Sequence, residues 1–317
     1  MASVKFAVQS VLQDCLGLRR NERVLLLCDE PQKEMSRLFW EELQTKAPKA
    51  HFLQVPRFPA QENEPSQGTA AFMAQFEAIL MITERSLFHT NARRRASKQG
   101  ARVLCLAGAT AESLTRTMTG RYQVIVEKSR KIADIFSIGH QAVLTSPAGT
   151  ELTFSIARMR GFCDTGMALE PGQAANVPGG EGCVSPPPDS VNGVLAVDGS
   201  FPEIGPLSKP IMLTIKAGSI KRLTGGREAE KLRKWLRIFG CQARMVAEVG
   251  VGTNPYAMIT GCSLEDEKVL GTAHVAFGNS LSFDGKGAAD CHLDGIMLKP
   301  TLTIDGKVIV EKGIMNV

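Results

Sequence analysis

Between residues 23 and 117 the chain alternates between two kinds of pattern. Short unbroken apolar runs, RVLLLCD, HFLQV, AILMIT and ARVLCLA, are separated by stretches such as PQKEMSRLFWEELQTK and HTNARRRASKQ with the three-to-four residue periodicity of helices. That alternation predicts a mostly parallel sheet covered by helices, a Rossmann-like α/β domain over residues 1–130. The segment YQVIVEKSRKIADIFSIG, 122 to 139, predicts a helix, and beyond it the pattern changes. VLTSPAGTELTFSIA reads as a hairpin about Pro147–Gly149, and TLTIDGKVIVEKG as another about Asp305–Gly306, where Asp-Gly suits a type I′ turn. REAEKLRKWLRIFG, 227 to 240, predicts a helix stopped by Gly240. Residues 131–317 are therefore expected to form a mixed α+β domain with much antiparallel pairing. No internal repeat is visible.

Composition narrows the class of protein. Hydrophobic residues make up 44% and charged residues 22% of 317, the balance of a globular chain with a sizeable core. The longest apolar runs fall far short of the ~20 residues a spanning helix needs, so no membrane role is expected. The N-terminal segment reads as an amphipathic helix without the basic-then-apolar layout of a leader, which makes the cytoplasm the default location. Eight scattered cysteines without a CxxC pair fit reduced core thiols. The 37 basic and 32 acidic residues are interleaved, and the one basic cluster, ARRRASK at 92 to 98, reads as a solvated helix face. Nucleic acid is not an expected partner. No strand end carries GxGxxG or GxxxxGK[ST], so a nucleotide site is not supported. A serine hydrolase is disfavoured as well, for want of a GxSxG elbow.

The second half holds four islands dense in glycine, proline and ionisable residues: NVPGGEGCVSPPP (176 to 188), AEVGVGTNP (247 to 255), LEDEKVLGTAHVAFGN (264 to 279) and CHLDG (291 to 295). In CHLD, His292 and Asp294 are two apart, so on a strand both project from one face and can grip a single ion. His274, in a strand-like run ending in glycine, is a candidate third ligand. Glu181 follows two glycines that admit close backbone approach. Glu248 lies in an otherwise apolar run, where a carboxylate is costly to bury unless a cation partners it. Glu265, Asp266 and Glu267 form an acidic run that is either surface charge or the source of a base, Glu267 by preference. His89, between a strand end and a helix start, is a candidate substrate contact or a cap, and His51 and His140 offer nothing specific.

At these islands the sequence resembles the M29 metal-dependent aminopeptidases, the aminopeptidase T and S (leucyl aminopeptidase-like) group. The most specific parts are NVPGGEG, AEVGVGTNP, DEKVLGTAHVAFGN and CHLDG, in that order. The resemblance implies an N-terminal α/β domain, a C-terminal metal-binding catalytic domain, a homodimer and a peptide or other small-molecule substrate. It also implies one or two divalent ions (Zn, Co, Mn or Fe) held by Glu181, Glu248, His274, His292 and Asp294, with a base at Glu267 or its neighbours. The peptidases carry a tyrosine ligand shortly after the first histidine, whereas this chain has Leu281 in that region. A related branch, the mononuclear iron dioxygenases that open dihydroxypyridine rings, shares the CHLD ending. That branch replaces the AEVGVG glutamate with histidine and lacks the PGGE glutamate.

The expected function on these grounds is a metallo-aminopeptidase, a hydrolase in which metal-activated water attacks a peptide, with Glu181 and Glu248 favouring that side. Two rivals are an Fe(II) ring-cleaving dioxygenase using His274, His292 and Asp294, and a non-catalytic binding protein that keeps a structural ion.

Overall fold

The computed structural model describes residues 3–59 and 64–317, and these form two units: Met1–Tyr122 with Asp164–Gly179, and Gln123–Cys163 with Gly180–Val317. In the first unit, α1 (Val4–Ser10) precedes β1 (Val24–Asp29), α2 (Lys33–Lys46), β2 (Ala50–Val55), α3 (Gln67–Met73), β3 (Ala78–Ile82), α4 (Asn91–Lys98), β4 (Arg102–Cys105) and α5 (Ala111–Thr117). The strands pair in parallel in the order β2, β1, β3, β4. Every residue of β1, β3 and β4 is buried, the state that unbroken apolar runs without alternation predict for strands covered on both faces. The expected N-terminal α/β sheet is present.

Helix α6 (Tyr122–Ile138) carries the chain onward to the hairpin of β5 (Gln141–Thr145) and β6 (Glu151–Ser155), then to β7 (Gly161–Asp164). The three residues of β8 (Ala174–Asn176) then join the edge of the first sheet beside β4, also in parallel. This return makes the first unit discontinuous in sequence. So short a strand has no periodicity of its own to announce it.

The rest of the chain supplies β9 (Glu181–Val184), β10 (Asn192–Val197), β11 (Ser200–Phe201), β12 (Gly205–Pro206), β13 (Ile211–Lys216), β14 (Ser219–Thr224), α7 (Arg227–Ile238), β15 (Val246–Gly252), α8 (Ser263–Asp266), β16 (Ala273–Gly278), β17 (His292–Met297), β18 (Thr301–Ile304), β19 (Lys307–Glu311) and β20 (Ile314–Met315). Two sheets dominate the second unit. One has eight strands in the order β14, β13, β10, β6, β5, β18, β19, β20, and the other five, β17, β16, β15, β9, β7. The expected Asp305–Gly306 turn joins β18 and β19 with φ of 48° and 81°, the positive pair a type I′ turn needs.

Strand β13 alternates strictly, with Ile211, Leu213 and Ile215 buried and the residues between them more exposed. Those side chains join Leu144, Leu152 and Phe154 from the same sheet and Val249, Val251, Val275 and Phe277 from the five-stranded sheet in one core, which also takes in Ile132 and Phe136 of α6. One face of the five-stranded sheet is thus spent on packing, and its opposite face is left for chemistry.

No helix among the described residues is long and apolar enough to cross a membrane. All eight cysteines are free. The basic cluster on α4 departs from its expected solvated role at Arg93, which is buried and donates from Nε to the Phe88 carbonyl at 2.6 Å.

A candidate metal centre on one sheet face

Register explains how residues far apart in sequence meet. Antiparallel pairing sets Ala276 of β16 opposite Glu248 of β15 on one side and opposite Asp294 of β17 on the other. The same ladders put His274 opposite Gly250 and Gly278 opposite His292, while Gly252 faces Glu181 of β9. Directly opposed residues share a face, and residues two apart on a strand share it too. Glu181, Glu248, His274, His292 and Asp294 therefore project together, with only Gly250, Gly252, Ala276 and Gly278 interspersed among them on β15 and β16. Those small residues leave the room. A Cβ at Gly250 would lie 2.2 Å from His274 Nε2, so this imidazole lies directly over a glycine.

The donor atoms form two groups that share Glu248, each with all atoms within 4.8 Å of one another: Glu181, Glu248 and His274, and Glu248, His292 and Asp294. His292 Nε2 stands 3.3 Å from Glu248 Oε2 and 3.2 Å from Asp294 Oδ1. Two atoms each about 2.1 Å from a common ion, at tetrahedral or octahedral angles, lie roughly 3.0–3.4 Å apart, so this spacing suits a shared cation. His274 Nε2 stands 3.3 Å from Glu181 Oε2 and 3.5 Å from Glu248 Oε1. Asp294 Oδ1 and both ring nitrogens of His274 are buried without an aligned hydrogen bond in the described structure. Crowded, unbonded donors of N and O type are what a divalent transition-metal site offers, so the residues fit a metal ion. The cluster can hold one.

Support behind the donors fixes their direction. His292 Nδ1 lies 2.7 Å from the Asn279 carbonyl, which can only accept, so Nδ1 carries a proton and Nε2 is the nitrogen turned to the site, a donor to a cation once it gives up its own proton. Asn279 is itself pinned, its side-chain amide donating to the Ala289 carbonyl at 3.0 Å.

Electrostatics follow from crowding in a dry space. Burial opposes the charged form of Glu248, but the imidazoles of His274 and His292 outweigh it and hold the carboxyl well below the usual range. For Asp294, burial is likewise overcome by His292, and the pKa falls to about 2. Reciprocally, burial disfavours charge on His292, yet Asp294 and Glu248 lift its pKa well above the ordinary imidazole value. His274 is raised too, by Glu248 and Glu181 against the effect of burial.

The acidic run before His274 is not surface charge, because Glu265, Asp266 and Glu267 are all buried. Two of the three are structural pins. Asp266 accepts from Ser200 Oγ at 2.6 Å and from the Thr260 amide at 2.7 Å, and Glu265 accepts from the Met258 amide at 3.0 Å. Glu267 instead meets Lys268, whose Nζ lies 2.7 Å from Glu267 Oε1 and 2.6 Å from Glu181 Oε1, with the side chain fully buried. Burial pushes the Glu267 carboxyl well up, with Asp294 and Glu181 adding to it and Lys268 opposing. Lys268 was invisible to pattern reasoning, since a lysine inside an acidic run reads as ordinary surface charge. His89 lies in the first unit, half-buried on the turn before α4, and belongs to neither donor group. The oxygenase triad expected from His274, His292 and Asp294 is not the grouping found, for Glu248 rather than His274 meets the other two.

Residues 7–317 match the family model described as 2,5-dihydroxypyridine 5,6-dioxygenase. The chain belongs to the 2,5-dihydroxypyridine 5,6-dioxygenase family. A curated relative of that name from Pseudomonas putida KT2440 is 27% identical over 265 residues, covering 77% of this chain and 73% of the relative. A solved structure of 2,5-dihydroxypyridine dioxygenase from the same organism superposes with a TM-score of 0.85 at 20% identity, over 98% of this chain and 96% of that one. AmpT from Thermus thermophilus superposes with a TM-score of 0.66 at 16% identity, over 99% of both chains, a likeness of fold.

Family membership corrects the expected activity. The metallo-aminopeptidase reading gives way, because the family matched across the chain is one of dioxygenases and the M29 likeness extends only to the fold. Physically, the weight placed on Glu181 and Glu248 was misplaced. Glu181 has an ammonium for a partner, so its burial needs no hydrolytic metal, and Glu248 supplies a donor that either chemistry can use. The base assigned to Glu267 belonged to the hydrolase and goes with it.

Proposed function

We propose that this protein is an Fe(II)-dependent dioxygenase that opens a dihydroxylated pyridine ring, with Glu248, His292 and Asp294 as the residues that would hold the iron. The observation that carries the reading is the dioxygenase family match over residues 7–317, which includes a Glu248–His292–Asp294 group of two buried carboxylates and a half-buried imidazole with cation-compatible spacing. Iron, when bound, supplies the redox chemistry that lets dioxygen react with an electron-rich ring. The protein's own part is to hold and orient. His292 is kept in one tautomer by Asn279, and Glu248 and Asp294 stay ionised because imidazoles crowd them. Beside His292 the ring of Phe283 stands at 6.0 Å, with Phe162 at 5.7 Å from Phe283. Such edges suit a flat aromatic substrate and exclude water from its faces.

The test is oxygen uptake by protein loaded anaerobically with Fe(II), set against the loss of ultraviolet absorbance of 2,5-dihydroxypyridine. Equimolar consumption of oxygen and ring is expected, with none in His292→Ala. Iron-loaded wild type that leaves 2,5-dihydroxypyridine and its hydroxylated analogues intact would end the proposal.

A further inference from the structure

The chain's net charge of +5 is unevenly placed. From Lys209 to Arg244 ten lysines and arginines stand against two acids, Glu228 and Glu230, so the residues outside that stretch are acidic on balance. Both acids are already engaged: Glu228 accepts from Ser208 Oγ at 2.7 Å, and Glu230 pairs with Arg233. At the centre of the stretch lies α7, whose inner face of Ala229, Leu232 and Leu236 is sealed into the core. Its outer face repeats at helical spacing as Arg227, Lys231, Lys234 and Arg237, all four exposed. On that same face, one turn beyond Lys234, Ile238 is 50% exposed, and beside it Trp235 and Phe239 stack at 5.7 Å with their planes 12° apart. Arg233 Nη2 donates to the Leu223 carbonyl at 2.9 Å, which ties the helix to β14, where Lys221 and Arg222 are exposed as well.

From this arrangement we infer that the outer face of α7 docks on an anionic lipid bilayer, with Lys231, Lys234 and Arg237 over the headgroups and Ile238 and Trp235 in the interface below them. A surface of one sign attracts the opposite one, and each lysine or arginine near an anionic bilayer adds about fivefold to the affinity. The apolar residues decide which polyanion fits. A nucleic-acid backbone rewards the charges and leaves Ile238 in water, whereas a bilayer interface takes aliphatic and aromatic side chains beside cations. A helix docked in this way lies along the surface, so the lack of a spanning helix among the described residues does not oppose it. The inference is independent of the metal centre, to which α7 contributes no donor.

Sedimentation of the full-length chain with lipid vesicles tests this without reference to turnover. The protein is expected to pellet with vesicles of equal parts phosphatidylserine and phosphatidylcholine and to stay in solution with phosphatidylcholine alone; no pelleting with either overturns the inference. The combined variant Lys231→Glu, Lys234→Glu, Arg237→Glu is expected to lose at least about a hundredfold in affinity for the mixed vesicles, and Ile238→Ser roughly tenfold. A folded triple variant that binds as wild type does overturns the inference. Should that variant not fold, the emission of Trp235 in a Trp40→Phe chain decides: a shift to shorter wavelength on adding the mixed vesicles is expected, and an unchanged spectrum overturns it. Tighter binding to duplex DNA or to polyglutamate than to the mixed vesicles at the same salt would make a nucleic acid or an acidic protein the occupant and overturn the bilayer.

Discussion

Two of the places where the described residues bury charged groups are solved in opposite ways. In the first unit, Arg102 and Glu22 form a closed pair: Arg102 donates to Glu22 and to the carbonyls of Leu16 and Gly17, and the other Glu22 oxygen accepts from the Arg19 amide at 2.8 Å. One positive group meets one negative group, and the hydrogen bonds are used up. In the second unit, Glu181, Glu248, Glu267 and Asp294 surround one lysine and two histidines, and several donor atoms crowd without bonding. Crowded donor atoms left without aligned hydrogen bonds separate a site from a strut. A buried pair whose hydrogen bonds are complete asks for nothing further, whereas crowded carboxylate and imidazole atoms that face one another suit a shared cation.

Breaking the closed pair should have the largest effect on stability. Glu22→Ala strands Arg102 and is expected to cost about 3–5 kcal/mol in denaturant unfolding, with metal content unchanged in the folded fraction, whereas replacing Glu22 and Arg102 together with apolar residues of similar volume should be nearly neutral. In the open cluster the large effect is on binding. His292→Ala or Asp294→Ala should weaken metal affinity by at least about a hundredfold, since removing a ligand exceeds the 10–100-fold cost typical of its supporting partners. Gly250→Ala comes next: its Cβ would strike the His274 ring, so a cost of about 1–3 kcal/mol is expected in thermal unfolding, with reduced metal affinity measured by calorimetry.

The smallest effect, and the one that sharpens the contrast most, is with pH. His292 has a raised pKa without the ion and must give up its proton to become a ligand, so affinity should fall as pH drops, by up to about tenfold per unit while one proton is released. In the metal-free protein the sign reverses. The contribution of protonated His292 to stability is fully present below about pH 6.5 and is lost as pH rises through its raised folded value, and that of Asp294 is present above about pH 3.9 and lost on acidification toward 2. Thermal unfolding of the chelated and loaded forms at pH 6 and pH 8 checks both signs together: the stabilisation by metal should be greater at pH 8.

How much of this was legible follows from the range of the forces involved. The fully apolar runs of β1, β3 and β4 and the apolar–polar alternation of CHLD are local patterns, so strand type and the shared face of His292 and Asp294 could be read directly. The return of β8 to the first sheet could not, because its three residues are specified by what they pair with rather than by their own pattern. Lys268 and the three acids before it also look solvated from composition alone. They are held against β15 at Gly252 and by the contacts of Asp266 with Ser200 and Thr260, neighbours that no local pattern announces. The chemistry was the least legible part. Carboxylate and imidazole donors on a shared face serve water activation and oxygen activation equally well, and it was the family match across nearly the whole chain that overturned the hydrolase reading.

The register of β15, β16 and β17 assigns adjacent residues to different tasks, donors on one side and Val249, Val251, Val275 and Phe277 on the other. The donor side chains therefore stand apart from the hydrophobic layer behind them. A scaffold partitioned in this manner keeps the side chains that set reactivity apart from those that build the core.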